Sequence, residues 1–140
     1  MHIIFWALIL NTLWEFTQCI WFYDMWSWPF WKATVWMWAA ISGDILIVLG
    51  LWKITTLLVP SVHFYKPDGM GYVVLLLISF VAAVFLEWIA IYLELWTYDP
   101  FMPTLMILGR QVGLMPILQI TVLPALSIYL TSKTAMYKKP

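Results

Sequence analysis

Charge is scarce in this sequence. Only 10% of its residues are Asp, Glu, Lys or Arg, against about a quarter in an ordinary soluble domain. Hydrophobic residues make up 64%, and the mean hydropathy is +0.91. A chain of 140 residues has too little interior to hide that much apolar surface from water, so lipid is the expected solvent. The formal net charge is zero, and no basic run is interleaved with aromatics, so no nucleic-acid partner is expected. A single cysteine, Cys19, excludes an intrachain disulfide and reads as a small packing residue. P-loop, GxGxxG, HExxH and CxxC patterns are all missing, and no cofactor is expected. His2 and His63 fall at a terminus and in a loop, and no Glu-x-x-His occurs, so no metal site is expected either. The first apolar run lacks a basic n-region and a small-residue cleavage site, which points to a retained first transmembrane helix rather than a signal peptide.

Long apolar runs are what the sequence has. A membrane-spanning helix needs about 20 mostly apolar residues. Four segments meet that requirement, at 3–23, 33–58, 72–96 and 106–130. Turn chemistry separates them at Ser27-Trp28-Pro29, at Pro60 and Lys66-Pro67-Asp68-Gly69, and at Asp99-Pro100-Phe101-Met102-Pro103. The expected fold is all-α: one polytopic domain over 1–140, with four transmembrane helices in a bundle. Pro116 and Pro124 fall inside the fourth run, where a kink or local unwinding is expected.

Lys53, Lys66, Lys133, Lys138 and Lys139 lie on one side of these spans, and Lys32 and Arg110 on the other. The positive-inside rule then puts both termini in the cytoplasm, with the chain a multi-pass protein of an inner or cytoplasmic membrane. The opposite edge carries Trp21, Trp26, Trp28, Trp31, Trp96 and Tyr98, the composition of an aromatic interfacial belt.

The polar residues inside the runs are few and patterned. Asn11, Glu15 and Gln18 are spaced to form one stripe on the first helix. Asp44 lies near the middle of the second, beside Ser42 and Gly43; Glu87 and Glu94 share a face of the third; Arg110, Gln111 and Gln119 belong to the fourth. A charged Asp at a helix centre costs roughly 2.5–3.5 kcal/mol on insertion scales. The amides are equally expected as hydrogen-bonding glue between helices. Asp24, Glu94 and Asp99 lie near the interface, where solvation or pairing, for instance with Arg110, accounts for them. Glu15, Asp44 and Glu87 sit deeper, and an ionisable group at that depth marks a site by default. They are expected to line one polar cavity, with at least one of them protonated and available as a proton donor. Asn11, Trp14, Gln18, Trp36, Trp88, Tyr98, Arg110 and Gln119 are the expected substrate-binding residues. Trp14, Trp36 and Trp88 would present ring faces to a cation.

Two stretches echo each other. Glu15 is followed by Tyr23-Asp24 and Trp28-Pro29-Phe30, and Glu87 by Tyr98-Asp99 and Pro100-Phe101. With a gap allowed, this suggests an internal repeat of two helical hairpins in parallel topology.

The set Asn11-x-x-Trp14-Glu15, Gly43-Asp44, Glu87-Trp88, Trp96-x-Tyr98, Met102-Pro103, Gly113-x-x-Pro116-x-x-Gln119 and Pro124 resembles a group of small, uncharacterised bacterial four-helix integral membrane proteins. That resemblance spans nearly the whole chain and implies a fold without an activity. The stretch LWTYDPFMPTLMILGRQVGLMPILQ is distantly similar to the lycopene-cyclase domain. Trp14-Glu15 is similar to a first-helix feature of the transmembrane terpene cyclases. Both resemblances imply protonation of an isoprenoid by a buried carboxylic acid. Leu118-Gln119 stand where the lycopene-cyclase pattern has paired glutamates, so the acid would have to be Glu15, Asp44 or Glu87. The implied partner is a membrane lipid or a lipophilic, isoprenoid- or sterol-like molecule. The alternative is a non-catalytic accessory subunit whose buried polar groups face other membrane subunits. An ion-conducting oligomer lacks a recognisable pore motif.

Overall fold

The computed structural model describes residues 2–23, 25, 27–60 and 67–136. Asp24, Trp26, His63, Lys66, Lys138 and Lys139 lie outside the described residues. Four helices form: α1 (His2–Phe22), α2 (Phe30–Leu58), α3 (Gly69–Tyr92) and α4 (Leu114–Met136). All four are long and apolar enough to cross a membrane. Pro29 stands at the N-cap of α2, and Asp68 caps α3 by accepting a hydrogen bond from Gly71 N at 2.6 Å, which satisfies a backbone donor that helix geometry leaves open.

The third and fourth segments differ from the sequence expectation. α3 stops at Tyr92, and residues 106–113 are not helical. They belong to an antiparallel hairpin of β1 (Thr104–Ile107) and β2 (Arg110–Gly113), with Ile107 paired to Arg110. The two linking residues, Leu108 and Gly109, both have positive φ, 49° and 78°, the geometry of a tight primed turn. Apolar periodicity cannot separate a short strand from a helical turn, and Leu-Gly is a weaker turn signal than Asn-Gly. Pro116 falls in the first turn of α4, where its missing N–H leaves no helical bond unmade. Pro124 lies within the helix, which continues without local unwinding through to Met136.

Adjacent helices run in opposite directions. Trp6 Nε1 donates to Thr134 Oγ1 at 3.0 Å, joining the start of α1 to the end of α4. At the other end, Tyr23 and Tyr98 form an isolated antiparallel bridge, and Asp99 N donates to Phe22 O at 3.0 Å. The two echoing Tyr-Asp stretches therefore meet at this end. α4 packs against all three other helices, whereas the α2–α3 contact is thin. An apolar core of Ile3, Ala7, Val48, Leu51, Trp52, Leu75 and Ile128 fills the end where α1 begins and α4 ends. At the hairpin end, Val112 packs with Ala83, Val84 and Ile117, and Cys19 with Tyr23 and Met102. Phe5, Leu13, Trp21, Val35, Leu46, Leu77 and Phe85 point outward, as lipid-facing positions require.

Candidate functional site

Helix periodicity puts Asn11, Glu15 and Gln18 on one face of α1, and all three are buried. Gln119 of α4 reaches into the same layer. Its Nε2 donates to Glu15 Oε1 and to Asp44 Oδ2, each at 2.7 Å, with Asn11 Oδ1 further off at 3.3 Å. An amide nitrogen carries two hydrogens, so the two short contacts consume both. Gln119 Oε1 accepts from Gln18 Nε2 at 2.8 Å, and the same nitrogen donates to Glu15 Oε1 at 2.7 Å. Trp14 Nε1 holds Gln18 in place through Oε1 at 2.9 Å. Cys19 Sγ is 3.6 Å from Glu15 Oε2. The Glu15 and Asp44 carboxyl groups are also within hydrogen-bonding reach of each other. A hydrogen bond between two carboxyl groups needs a proton on one of them, and the pair then titrates as a unit.

A second cluster sits nearer the hairpin. Glu87, 2% exposed, accepts on Oε2 from the Tyr98 hydroxyl and from Gly113 N, the latter at 3.3 Å. Gly113 N also lies 3.2 Å from the Tyr98 oxygen. Burial, and then the neighbouring Glu87 carboxylate, push the Tyr98 phenol up, so it stays a neutral donor at physiological pH. Tyr23 packs at 5.9 Å from Tyr98 and 6.0 Å from Trp96. The hairpin supplies the Gly113 N–H, which accounts for β-structure where the sequence suggested helix. A Cβ on Gly113 would stand 3.1 Å from Tyr98 Cζ and OH and 3.2 Å from Pro116 Cδ. Gly113→Ala is therefore expected to cost about 1–3 kcal/mol, the usual penalty of overpacking. Denaturant unfolding in detergent measures the loss, and an unchanged midpoint would contradict the tight fit.

Both clusters open on one cavity of about 350 Å³. Glu15 and Cys19 of α1, Asp44 with Ala39, Ala40 and Gly43 of α2, and Glu87 with Ile89 and Ala90 of α3 line it, and Pro116 and Gln119 of α4 close the back. Its outer end is walled by Tyr23, Trp28, Trp36 and Trp96. Ile89 and Trp36 are 51% and 39% exposed, so the cavity reaches the bundle surface along the thin α2–α3 contact. Trp28 also carries Lys32 Nζ over its ring at 4.0 Å.

The expected site residues divide into three groups. Glu15, Asp44, Glu87, Trp36 and Gln119 line the cavity. Gln18 and Tyr98 stand behind those side chains and hold them, Trp14 steadies Gln18, and Asn11 lies at the edge of the same layer. Trp88 and Arg110 do not line the cavity. Trp88 packs against the Ala83, Val84, Val112 and Ile117 cluster, because one helical step turns it away from Glu87. Arg110 is exposed on β2, because the hairpin carries it out of the bundle. Trp14 likewise presents no ring face to the cavity. Asp99 accepts from Phe101 N at 2.9 Å instead of pairing with Arg110. Sequence reasoning missed Tyr23, Gly113, and the cavity role of Trp28 and Trp96. Aromatics at a membrane interface give no signal of which way they face. Among the described residues no three His, Cys, Asp or Glu side chains are grouped to hold a metal ion.

The chain matches no protein-family model, no curated protein and no solved structure.

Proposed function

We propose that this cavity binds a lipophilic, isoprenoid- or sterol-like molecule entering sideways from the bilayer, and that the Glu15–Asp44 pair protonates it. One observation carries the reading: three carboxyls from three helices line a single cavity that opens between α2 and α3. The proton shared by Glu15 and Asp44 is the available acid, and the conjugate carboxylate is placed to steady the positive charge that alkene protonation creates. Tyr23, Trp36 and Trp96 line the same cavity and would meet that charge with their rings. The resemblance of Trp14-Glu15 to a first-helix feature of the transmembrane terpene cyclases, and the distant one of the stretch from Leu95 to Gln119 to the lycopene-cyclase domain, support the same reading. The accessory-subunit reading has less support, since the deep polar side chains turn into their own bundle rather than toward a partner.

Deuterium incorporation from D₂O into squalene, in vesicles holding the purified protein, tests the acid directly. Exchange above that of empty vesicles is expected, and Gly43→Trp should abolish it. Gly43 lines the cavity and a Cβ there meets nothing within 4 Å, so a large side chain at this position is expected to occupy the cavity. Exchange that survives Gly43→Trp would contradict the reading.

The lysines set the orientation in this reading: a multi-pass protein of an inner or cytoplasmic membrane, with both termini in the cytoplasm and the hairpin outside. In a Cys19→Ala background, Leu108→Cys is expected to react with an impermeant maleimide on intact cells, and Ser132→Cys only after permeabilisation. The opposite pattern would invert the topology.

A further inference from the structure

The cavity has carboxyl groups but, among the described residues, no cationic side chain. Glu15, Asp44 and Glu87 line it, while among the described residues no Lys, Arg or His does. The nearest cation, Lys32, lies over Trp28 outside the carboxyl layer. Gln119 spends both amide hydrogens on Glu15 and Asp44, so the amides are used up before two negative charges are balanced. Only a proton or an incoming cation completes the site. The remaining wall consists of aromatic side chains, Met25, Met37, Thr97 and aliphatic residues such as Ile47, Leu86 and Ile120. Carboxylates behind aromatic faces are what an ammonium centre with apolar arms requires.

Resting on the cavity being a lipophile site, we infer that it selects lipophilic cations, amines or ammonium ions with hydrocarbon arms, over neutral molecules of the same shape. Binding exchanges one positive charge for another: the cation enters and the proton shared by the carboxyl pair leaves to solvent. The titratable groups facing that proton are Glu15 and Cys19 on α1, Asp44 on α2, Glu87 on α3, and Tyr23 and Tyr98 beyond α1 and α3. α4 contributes only the neutral Gln119. Cation affinity should therefore rise with pH as the pair gives up its proton, and a neutral ligand should show no such trend.

The test uses the full chain in nanodiscs of zwitterionic lipid, titrated calorimetrically with N,N-dimethylgeranylamine, which is cationic at pH 7, and with geranyl methyl ether as the neutral counterpart. The amine is expected to bind about tenfold tighter or better, given the strength of desolvated cation–aromatic contacts. Running the titration in buffers of different ionisation enthalpy should show about one proton released per amine bound. Asp44→Asn should remove both the preference for the amine and the proton release. The wild-type pH series stands even if that variant fails to assemble. Equal affinity for amine and ether, or an amine affinity that does not change with pH, overturns the inference and leaves the lipophile site standing. Binding of neither ligand overturns both.

Discussion

Gln119→Leu is expected to be the most damaging single substitution in the bundle. Gln119 bonds Glu15, Asp44 and Gln18 and approaches Asn11, so it ties α4 to α1 and α2 in one layer. Side-chain hydrogen bonds between transmembrane helices are worth about 0.6 kcal/mol on average and up to about 1.7 kcal/mol. Losing three of them, with two buried carboxyls left short of donors, should cost about 2–4 kcal/mol. The leucine fits the volume, so the loss is polar in origin. Unfolding in mixed micelles measures it. Gln119→Glu makes the comparison sharper. The introduced carboxyl cannot donate when ionised, so the variant should be unstable at neutral pH and recover as the pH falls and it gains a proton. A Gln119→Leu protein as stable as the parent would mean that the polar layer does not hold the helices together.

Asp44→Asn should do the reverse, sparing the fold and removing the chemistry. Asparagine keeps an oxygen that can accept from Gln119 Nε2, and Asp44 is only partly buried. The expected stability change is within about 1 kcal/mol, the scale of a single intramembrane hydrogen bond. Proton transfer to substrate is another matter. The carboxyl pair can no longer share a proton, and a positioned general acid is typically worth about 10²–10⁴ in rate. Deuterium exchange into squalene should fall by about that factor. Glu15→Gln should behave similarly in rate but cost more stability, because Glu15 accepts from two amides and the Cys19 thiol. Wild-type exchange in Asp44→Asn, Glu15→Gln and Glu87→Gln alike would make the polar layer purely structural.

Much of this was legible in the residues. The spacing of Asn11, Glu15 and Gln18 dictates one face, and the cost of charge in lipid dictates that the face turns inward. The structure buries all three there. The same reasoning brings Asp44, Glu87 and Gln119 to the cavity. What the sequence concealed is local and geometric. Residues 106–113 read as apolar helix because a four-residue strand and one helical turn present the same composition, and only the turn at Leu108-Gly109 separates them. Trp88 and Trp14 were expected beside their neighbouring glutamates, but adjacent residues on a helix point about 100° apart. Arg110 was expected within the site because the fourth helix was expected to begin before it. The aromatic end wall depends on how the segments after α1 and α3 fold together, and the Tyr23–Tyr98 bridge has no signature short of the structure.

Lipid is expected to reach the three carboxyls through the α2–α3 gap. The most direct measurement is photo-crosslinking with a diazirine-bearing geranylgeranyl probe in nanodiscs, with adducts mapped by mass spectrometry. The account expects adducts concentrated at Ala39, Ala40 and Gly43 on α2 and at Ile89 and Ala90 on α3, suppressed by excess unlabelled isoprenoid and by Gly43→Trp. Adducts confined to outward positions such as Leu13, Phe16 and Ile20, unchanged by competitor or by Gly43→Trp, would contradict it.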